Sequence, residues 1–195
     1  MKKIIRKQFI EERKKMTVNT VNTLSTLIIE RILGEIDLES SETIALYYPF
    51  NNEVNVLPLI ELLLKQKKRV VLPKVTGKTT MEFYRIESTV DVELSKFGVY
   101  EPNTKSIVNK IEIDWMLIPG VGFNSKGYRL GYGAGYYDRY LEEHQFKTVG
   151  ICFDFQITDA FEINEYDVPL DFIISENRLL QFHNADYFQN PCTDN

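Results

Sequence analysis

Hydrophobic and polar positions change period several times along the chain, and each change predicts an element. Residues 2 to 15 are basic, with Ile5, Phe9 and Ile10 on one side, which predicts a helix. Thr17 is placed to cap a second helix, in which Val21, Leu24, Leu27, Ile28, Arg31 and Ile32 recur at helical spacing and Gly34 predicts the stop. Thr43 to Tyr48 reads as a short strand ending at Pro49. Val56 to Lys67 predicts a helix, because Pro58 falls in its first turn, where no backbone donor is needed. Arg69 to Pro73 and Met81 to Ile86 predict strands, and residues 87 to 110 are mixed, with a turn across Phe97 to Pro102. Asp114 to Ile118 predicts a buried strand, Tyr136 to Glu143 a helix, and Lys147 to Phe153 and Asp171 to Ser175 the last strands.

Strands separated by helices predict an α/β fold: a single three-layer domain over residues 1–182, with a mainly parallel open sheet and helices on both faces. Residues 183–195 are polar and read as a C-terminal tail that frays. The chain shows no internal repeat, linker or low-complexity segment. In open sheets of this kind, ligands bind outside the carboxyl ends of the strands. The strand 114 to 118 runs into such a place, and the segment after it is unusually rich in glycine.

Six of the ten glycines lie between Gly120 and Tyr140: Gly120, Gly122, Gly127, Gly131, Gly133 and Gly135. Three alternate glycines, Gly131, Gly133 and Gly135, permit close backbone approach and positive φ. A helix starting near Tyr136 aims free N–H groups at an anion. Arg129 offers a fork for a phosphate, and Asp138 offers a carboxylate for a magnesium ion carried by that phosphate. The segment is neither a Walker A loop, since no Gly-Lys-Ser/Thr follows, nor a dinucleotide fingerprint, whose third glycine comes later. The residues alone therefore leave two readings open, an anion site or a glycine-rich turn with Asp138 as a favourable first-turn charge.

Charge narrows the partners. The net charge of −5 gives no global attraction to nucleic acid. One local exception is the crowd Lys2, Lys3, Arg6, Lys7, Arg13, Lys14 and Lys15, which reads either as a solvated helix face or as a phosphate-binding wall. The two cysteines, Cys152 and Cys192, are far apart and lack zinc spacing, which points to a reducing, cytoplasmic setting. The basic start lacks the uninterrupted apolar run of a signal peptide, and no stretch is apolar enough to span a bilayer. His144 reads as a surface residue at a helix end, His183 as tail, Cys152 as core and Asp154 as a turn residue. Lys74 ends a strand, within reach of a phosphate.

Leu117-Ile-Pro-Gly-Val-Gly-Phe123 followed by Arg129-Leu-Gly-Tyr-Gly-Ala-Gly-Tyr-Tyr-Asp-Arg-Tyr140 resembles the signature of the 5-formyltetrahydrofolate cyclo-ligases, also called methenyltetrahydrofolate synthetases. Lys2-x-x-x-Arg6 with Arg13, Ala45 to Pro49 with Asn52-Glu53-Val54, Leu72-Pro-Lys74, Phe97 to Pro102, and Tyr166-Asp167 through Asp171 resemble further family segments in order, so the likeness spans roughly residues 2 to 175. The resemblance implies closure of 5-formyltetrahydrofolate to the 5,10-methenyl form with hydrolysis of ATP. It implies ATP contacts from Lys2, Lys3, Ile4, Ile5, Arg6 and Arg13 and from Arg129, Leu130, Gly131, Tyr132, Gly133, Ala134, Gly135, Tyr136 and Tyr137. It implies that Arg129, Tyr137 and Asp138 act in catalysis, that Asp138 and Asp167 hold Mg²⁺, and that Tyr48, Glu53, Tyr132 and Tyr136 meet the folate, with or without a polyglutamate tail. Glu53 suits a pterin edge, which offers paired donors, and the tyrosines suit a flat ring. Membrane and nucleic-acid partners are not expected.

One residue departs from the pattern. Some family members carry lysine where this chain has Ala134, and Lys126, Arg139 or the basic helix stand as substitute cations. That departure keeps open a non-catalytic folate- or nucleotide-binding protein on the same scaffold. A sugar-phosphate isomerase would account for the glycine loop, but not for Glu53 together with the basic helix.

Overall fold

The computed structural model describes residues 1–182. The expected polar tail, with His183 and Cys192, lies outside the described residues. The elements are α1 (Lys2–Lys15), α2 (Val18–Glu35), β1 (Thr43–Ala45), α3 (Leu57–Lys65), β2 (Arg69–Val75), β3 (Met81–Ile86), β4 (Val92–Leu94), β5 (Tyr100–Pro102), β6 (Ile107–Val108), β7 (Trp115–Pro119), β8 (Gly122–Phe123), β9 (Arg129–Leu130), α4 (Tyr136–Leu141), β10 (Lys147–Ile151), β11 (Phe172–Ile174) and β12 (Leu179–Gln181).

Local chemistry accounts for most helix ends. The Thr17 side chain accepts from the Thr20 amide at 3.1 Å and caps α2. Pro58 sits in the first turn of α3. Arg13, Lys14 and Lys15 occupy the last turn of α1, where cations complement the helix dipole. Gly34 does not stop α2 as its type suggested. The helix continues to Glu35, and Ile36 ends it by turning extended, with its side chain buried. Tertiary burial of Ile32 and Ile36 overrides the glycine signal.

Eight strands form one sheet in the order β12-β11-β10-β7-β1-β2-β3-β6. The five from β11 to β2 pair in parallel, and β12, β3 and β6 join antiparallel at the edges. One face is covered by α2 and α3, whose Ile28, Ile32, Leu59, Ile60 and Leu63 pack on Ile44, Leu46, Val70, Leu72, Leu117 and Val149. The other face carries Ala45, Val71, Met116, Ile118 and Ile173, covered by Phe123, Leu170 and α4 through Leu141. This is the three-layer α/β architecture, with the second helical layer reduced to one short helix. Alternation along each strand explains the split: Ile44 and Leu46 face one layer and Ala45 the other.

Three differences from the sequence reading matter for the site. The strand expected over 43 to 48 pairs only over Thr43–Ala45, so Tyr47 and Tyr48 leave the sheet at its carboxyl end. The mixed stretch 87 to 110 contains the β4–β5 hairpin, with Gly98 at φ 74 in its turn. The glycine segment begins as a second hairpin, β8–β9, and only Gly131 onward is a true loop. Helix α1 docks on that hairpin: Ile5 and Phe9 bury against Val121 and Leu130. A Cβ on Gly122 would stand 3.0 Å from the Phe9 ring, so a larger residue there would push the helix outward.

Candidate active site

The parallel strands place a crevice where the chain reverses direction across the sheet. From β1 the connection runs through α3 to β2 on one side, and later elements add β7, β10 and β11 on the other. The space beyond the carboxyl ends of β1 and β7 is therefore the switch point, where open α/β sheets bind ligands. A cleft of about 790 Å³ opens there. Tyr47 and Tyr48 after β1, Pro119 at the end of β7, and Pro73 and Val75 in β2 line its base. The β4–β5 hairpin contributes Phe97, Val99, Tyr100 and Glu101 from one side.

The glycine loop forms the opposite wall. Leu130 to Asp138 all line the cleft, as does Arg129. Gly133 at φ 107 and Gly135 at φ 71 take backbone conformations that side chains resist, and Gly135 turns the chain into α4. Arg129 is buried to 8% exposure; its Nη2 meets Asp138 at 3.3 Å and its guanidinium lies 5.0 Å over the Tyr137 ring. Its Nε has no hydrogen-bond partner among the described residues. Burial pushes the Tyr137 phenol well up against the opposing pull of Arg129.

Cations from α1 close the same wall. Lys2 and Arg6 are one helical turn apart and both line the cleft. Lys2 Nζ pairs with Asp167 at 2.7 Å, and Arg6 Nε donates to the Gly131 carbonyl at 2.7 Å. Lys3 and Ile4 point outward and Ile5 lies in the apolar cluster under α1, so these three do not line the cleft.

Arg13 is the largest difference in placement. It too lies outside the cleft wall and is fully buried beneath it. Its Nη2 donates to the Tyr132 hydroxyl, and its Nη1 stands 3.5 Å from Glu53 Oε1. The Tyr132 hydroxyl donates to the same Glu53 oxygen at 3.2 Å, and Glu53 Oε2 accepts the Phe50 amide at 3.1 Å. Burial pushes the Glu53 carboxyl above its ordinary value, and Arg13 pulls the other way. Burial and the Glu53 charge push the Tyr132 phenol up to about 12, which keeps its proton available to donate.

Asp138 and Asp167, the two expected metal ligands, both line the cleft, each beside a cation. No group of three or more His, Cys, Asp or Glu side chains with metal-site geometry occurs among the described residues. That donor set still suits magnesium, which takes one or two carboxylates and completes its shell with phosphate and water oxygens.

Sequence reasoning missed Phe50 and Asn164, which line the cleft. Phe97, Tyr100 and Tyr166 line it too, and their segments stood out only by family resemblance, with no role assigned. They come from separate loops that only the sheet brings together. Arg139, one of the suggested substitutes for the missing loop cation, lines the cleft and donates to the Ala134 carbonyl at 2.7 Å. Lys126, a second, is exposed and outside it, and the basic helix, the third, lines it through Lys2 and Arg6. Lys74 does not face the cleft; its Nζ is held by the Pro102 carbonyl at 2.8 Å and by Glu93 at 3.3 Å. His144 is half-buried rather than on the surface, with Nδ1 against the Leu141 carbonyl. Cys152 is a buried free thiol, and Asp154 is held in a turn by Ser175 and Arg178.

Comparison with known proteins gives the same picture of the whole chain. The model of the 5-formyltetrahydrofolate cyclo-ligase family matches residues 1–176. The chain belongs to the 5-formyltetrahydrofolate cyclo-ligase family. A 5-formyltetrahydrofolate cyclo-ligase of Mycoplasma pneumoniae is 36% identical over 179 residues, covering 90% of this chain and 98% of that protein. One of Haemophilus influenzae is 31% identical, covering 85% and 92%. The structure resembles the Aquifex aeolicus 5,10-methenyltetrahydrofolate synthetase with a TM-score of 0.82 at 30% identity, covering 100% of this chain and 96% of that one. The Mycoplasma pneumoniae synthetase gives a TM-score of 0.75 at 34% identity, covering 90% and 98%. No helix among the described residues is long and apolar enough to cross a membrane.

Proposed function

We propose that this chain closes 5-formyltetrahydrofolate to 5,10-methenyltetrahydrofolate with conversion of ATP to ADP and phosphate. The observation that carries the reading is one cleft with two unlike walls. Lys2, Arg6, the glycine loop and Arg129 form one group; Tyr48, Tyr100 and the buried Glu53 form the other, and the two meet where Glu53 accepts from Tyr132 at 3.2 Å. The first suits a polyphosphate, and the second suits a flat, nitrogen-rich ring.

The chemistry asks for little from the protein beyond placement and charge. A formamide carbon is a poor electrophile and its oxygen a poor leaving group. The formyl oxygen attacks the γ-phosphorus, the bond to the ADP oxygen breaks, and the carbon becomes activated. The neighbouring amine of the folate then attacks that carbon, loses its proton, and phosphate departs with the former carbonyl oxygen. Such phosphoryl transfer is accelerated by alignment and by neutralising the moving charge. Arg129, Lys2 and Arg6 supply that charge, and loop amides after Gly131 face the phosphates. Arg129 is suited to this because it lines the cleft yet is nearly buried, so its guanidinium is already desolvated. Mg²⁺ would be held by Asp138 and Asp167 and would neutralise phosphate charge. Glu53 orients the pterin edge, and Tyr48 and Tyr136 bound its faces. The work takes place in the cytoplasm, where the folate brings its glutamate tail or tails.

The test is incubation of the purified protein with 5-formyltetrahydrofolate, ATP and Mg²⁺ while following the near-ultraviolet absorbance of the methenyl product. An ATP-dependent rise with one ADP per product is expected. Tight binding of either ligand without turnover would replace this reading with a binding protein on the same scaffold.

A further inference from the structure

Helix α1 meets cleft residues near both of its ends. Near its start, Lys2 pairs with Asp167 and Arg6 donates to the Gly131 carbonyl. Near its other end, Arg13 reaches Glu53 and Tyr132. The Asn52 side chain also donates to the carbonyls of Arg13 and Met16, at 2.9 and 3.2 Å. The segment Asn51–Asn52 takes left-handed φ of 49 and 54, a conformation open to asparagine, and the Asn52 contacts tie it to the end of α1. A helix of 14 residues is about 21 Å long and stiff along its axis.

The contacts of α1 with the body are few. Its buried residues are Ile5, Phe9 and Arg13, and Arg13 is buried with Nε and Nη1 lacking hydrogen-bond partners among the described residues. A guanidinium so enclosed is costly unless its partners stay in register. Tyr132 is what connects that register to the glycine loop, since one hydroxyl accepts from Arg13 and donates to Glu53.

We propose that α1 is a strut that couples the two substrates, with Arg13 as its positioning residue: anion binding at Lys2, Arg6 and the glycine loop seats the helix, and Arg13 with Tyr132 then sets Glu53 for the folate. Arg13 acts through Glu53 and does not touch ATP. This inference rests on the assignment of the two walls under Proposed function. By linkage, a helix seated by one ligand raises affinity for the other by the same factor in both directions.

The experiment is calorimetric. The dissociation constant of 5-formyltetrahydrofolate is measured with and without a non-hydrolysable ATP analogue and Mg²⁺, for wild type, Arg13→Lys and Tyr132→Phe. Wild type is expected to bind folate about fivefold or more tightly with the analogue present, the usual lower range of site coupling. In either variant that ratio should fall to within about twofold of unity. If Arg13→Lys does not fold, Tyr132→Phe, which removes one hydroxyl, carries the test. A wild-type ratio of one, or a ratio unchanged in a folded variant, overturns the coupling. A loss confined to ATP-analogue affinity would put Arg13 on the nucleotide instead. Failure of the wild-type turnover assay would remove the assigned chemistry, a result separate from any of these.

Discussion

Replacing Arg129 by lysine keeps a cation and removes the planar fork, and the structure sets the size of the effect. In place, the guanidinium is 8% exposed, lies over Tyr137, and meets Asp138 only at 3.3 and 3.4 Å. These are long contacts, so Arg129 is weakly bonded within the protein. Asp138 retains 23% side-chain exposure, which limits the pair to about 1 kcal/mol of stability. The ring contact adds about 1 kcal/mol. Folding should therefore weaken by about 1–2 kcal/mol, which lowers Tm by roughly 2–8 °C in a chain of this size. Catalysis should suffer more. Charge-assisted hydrogen bonds to a transferring phosphoryl group contribute about 1.5–3 kcal/mol each, and an ammonium cannot present two parallel donors to one phosphoryl group as the guanidinium fork does. The expectation is a fall of about 100-fold in kcat/KM, close to 3 kcal/mol. Scanning calorimetry measures the first quantity and the methenyl absorbance assay the second. A kcat/KM within about threefold of wild type in the folded variant would refute the role given to Arg129. A loss of activity that merely tracked unfolding would make it structural.

Two further predictions concern the backbone and acid stability. Gly135→Ala puts a side chain at φ 71 with its Cβ 2.7 Å from Arg139 Nη1, so it should cost about 1–2 kcal/mol and raise the KM for ATP. Gly34→Ala, within α2 and with open space around the new methyl, should instead stabilise by about 0.5–1 kcal/mol; chemical denaturation of the two variants checks the opposite signs. Asp154 accepts both Arg178 Nε and Nη2 at 2.6 Å, which holds its carboxyl down at about 2 from an ordinary 3.8. Its contribution is thus complete above about pH 4 and lost as pH falls through about 2. Asp154→Asn should narrow the stability gap to wild type across that window, and a gap constant from pH 5 to pH 2 would refute the assignment.

Much of the architecture was legible in the chain because it depends on local periodicity. Helical spacing marked α1, α2 and α3, and valine-rich or apolar runs marked β2, β3, β7, β10 and β11, within a few residues at the ends. Thr17 and Pro58 act where their chemistry says they should. Gly34 misled because burial of Ile32 and Ile36 outweighs the cost of one glycine in a helix. The β8–β9 hairpin was hidden because two-residue strands have no period to read.

The site divides along the same line. The glycine segment was legible as a loop between a strand and a helix start, because alternate glycines followed by a helix start form a contiguous local signal, but the residues alone left an anion site and a plain turn both open. Asp138 stood out by its place in the first turn, and Glu53 and Asp167 only by family resemblance. The place of Arg13 beneath the cleft, and not in it, came from the folded molecule, since burial of a long side chain depends on what packs above it. The sheet brings distant loops to the ends of β1 and β7, and so puts Phe50, Phe97, Tyr100 and Asn164 around one cavity. Contacts across more than a hundred residues, such as Lys2 with Asp167 and Arg13 with Tyr132, leave no periodic trace in the chain because nothing local fixes their separation.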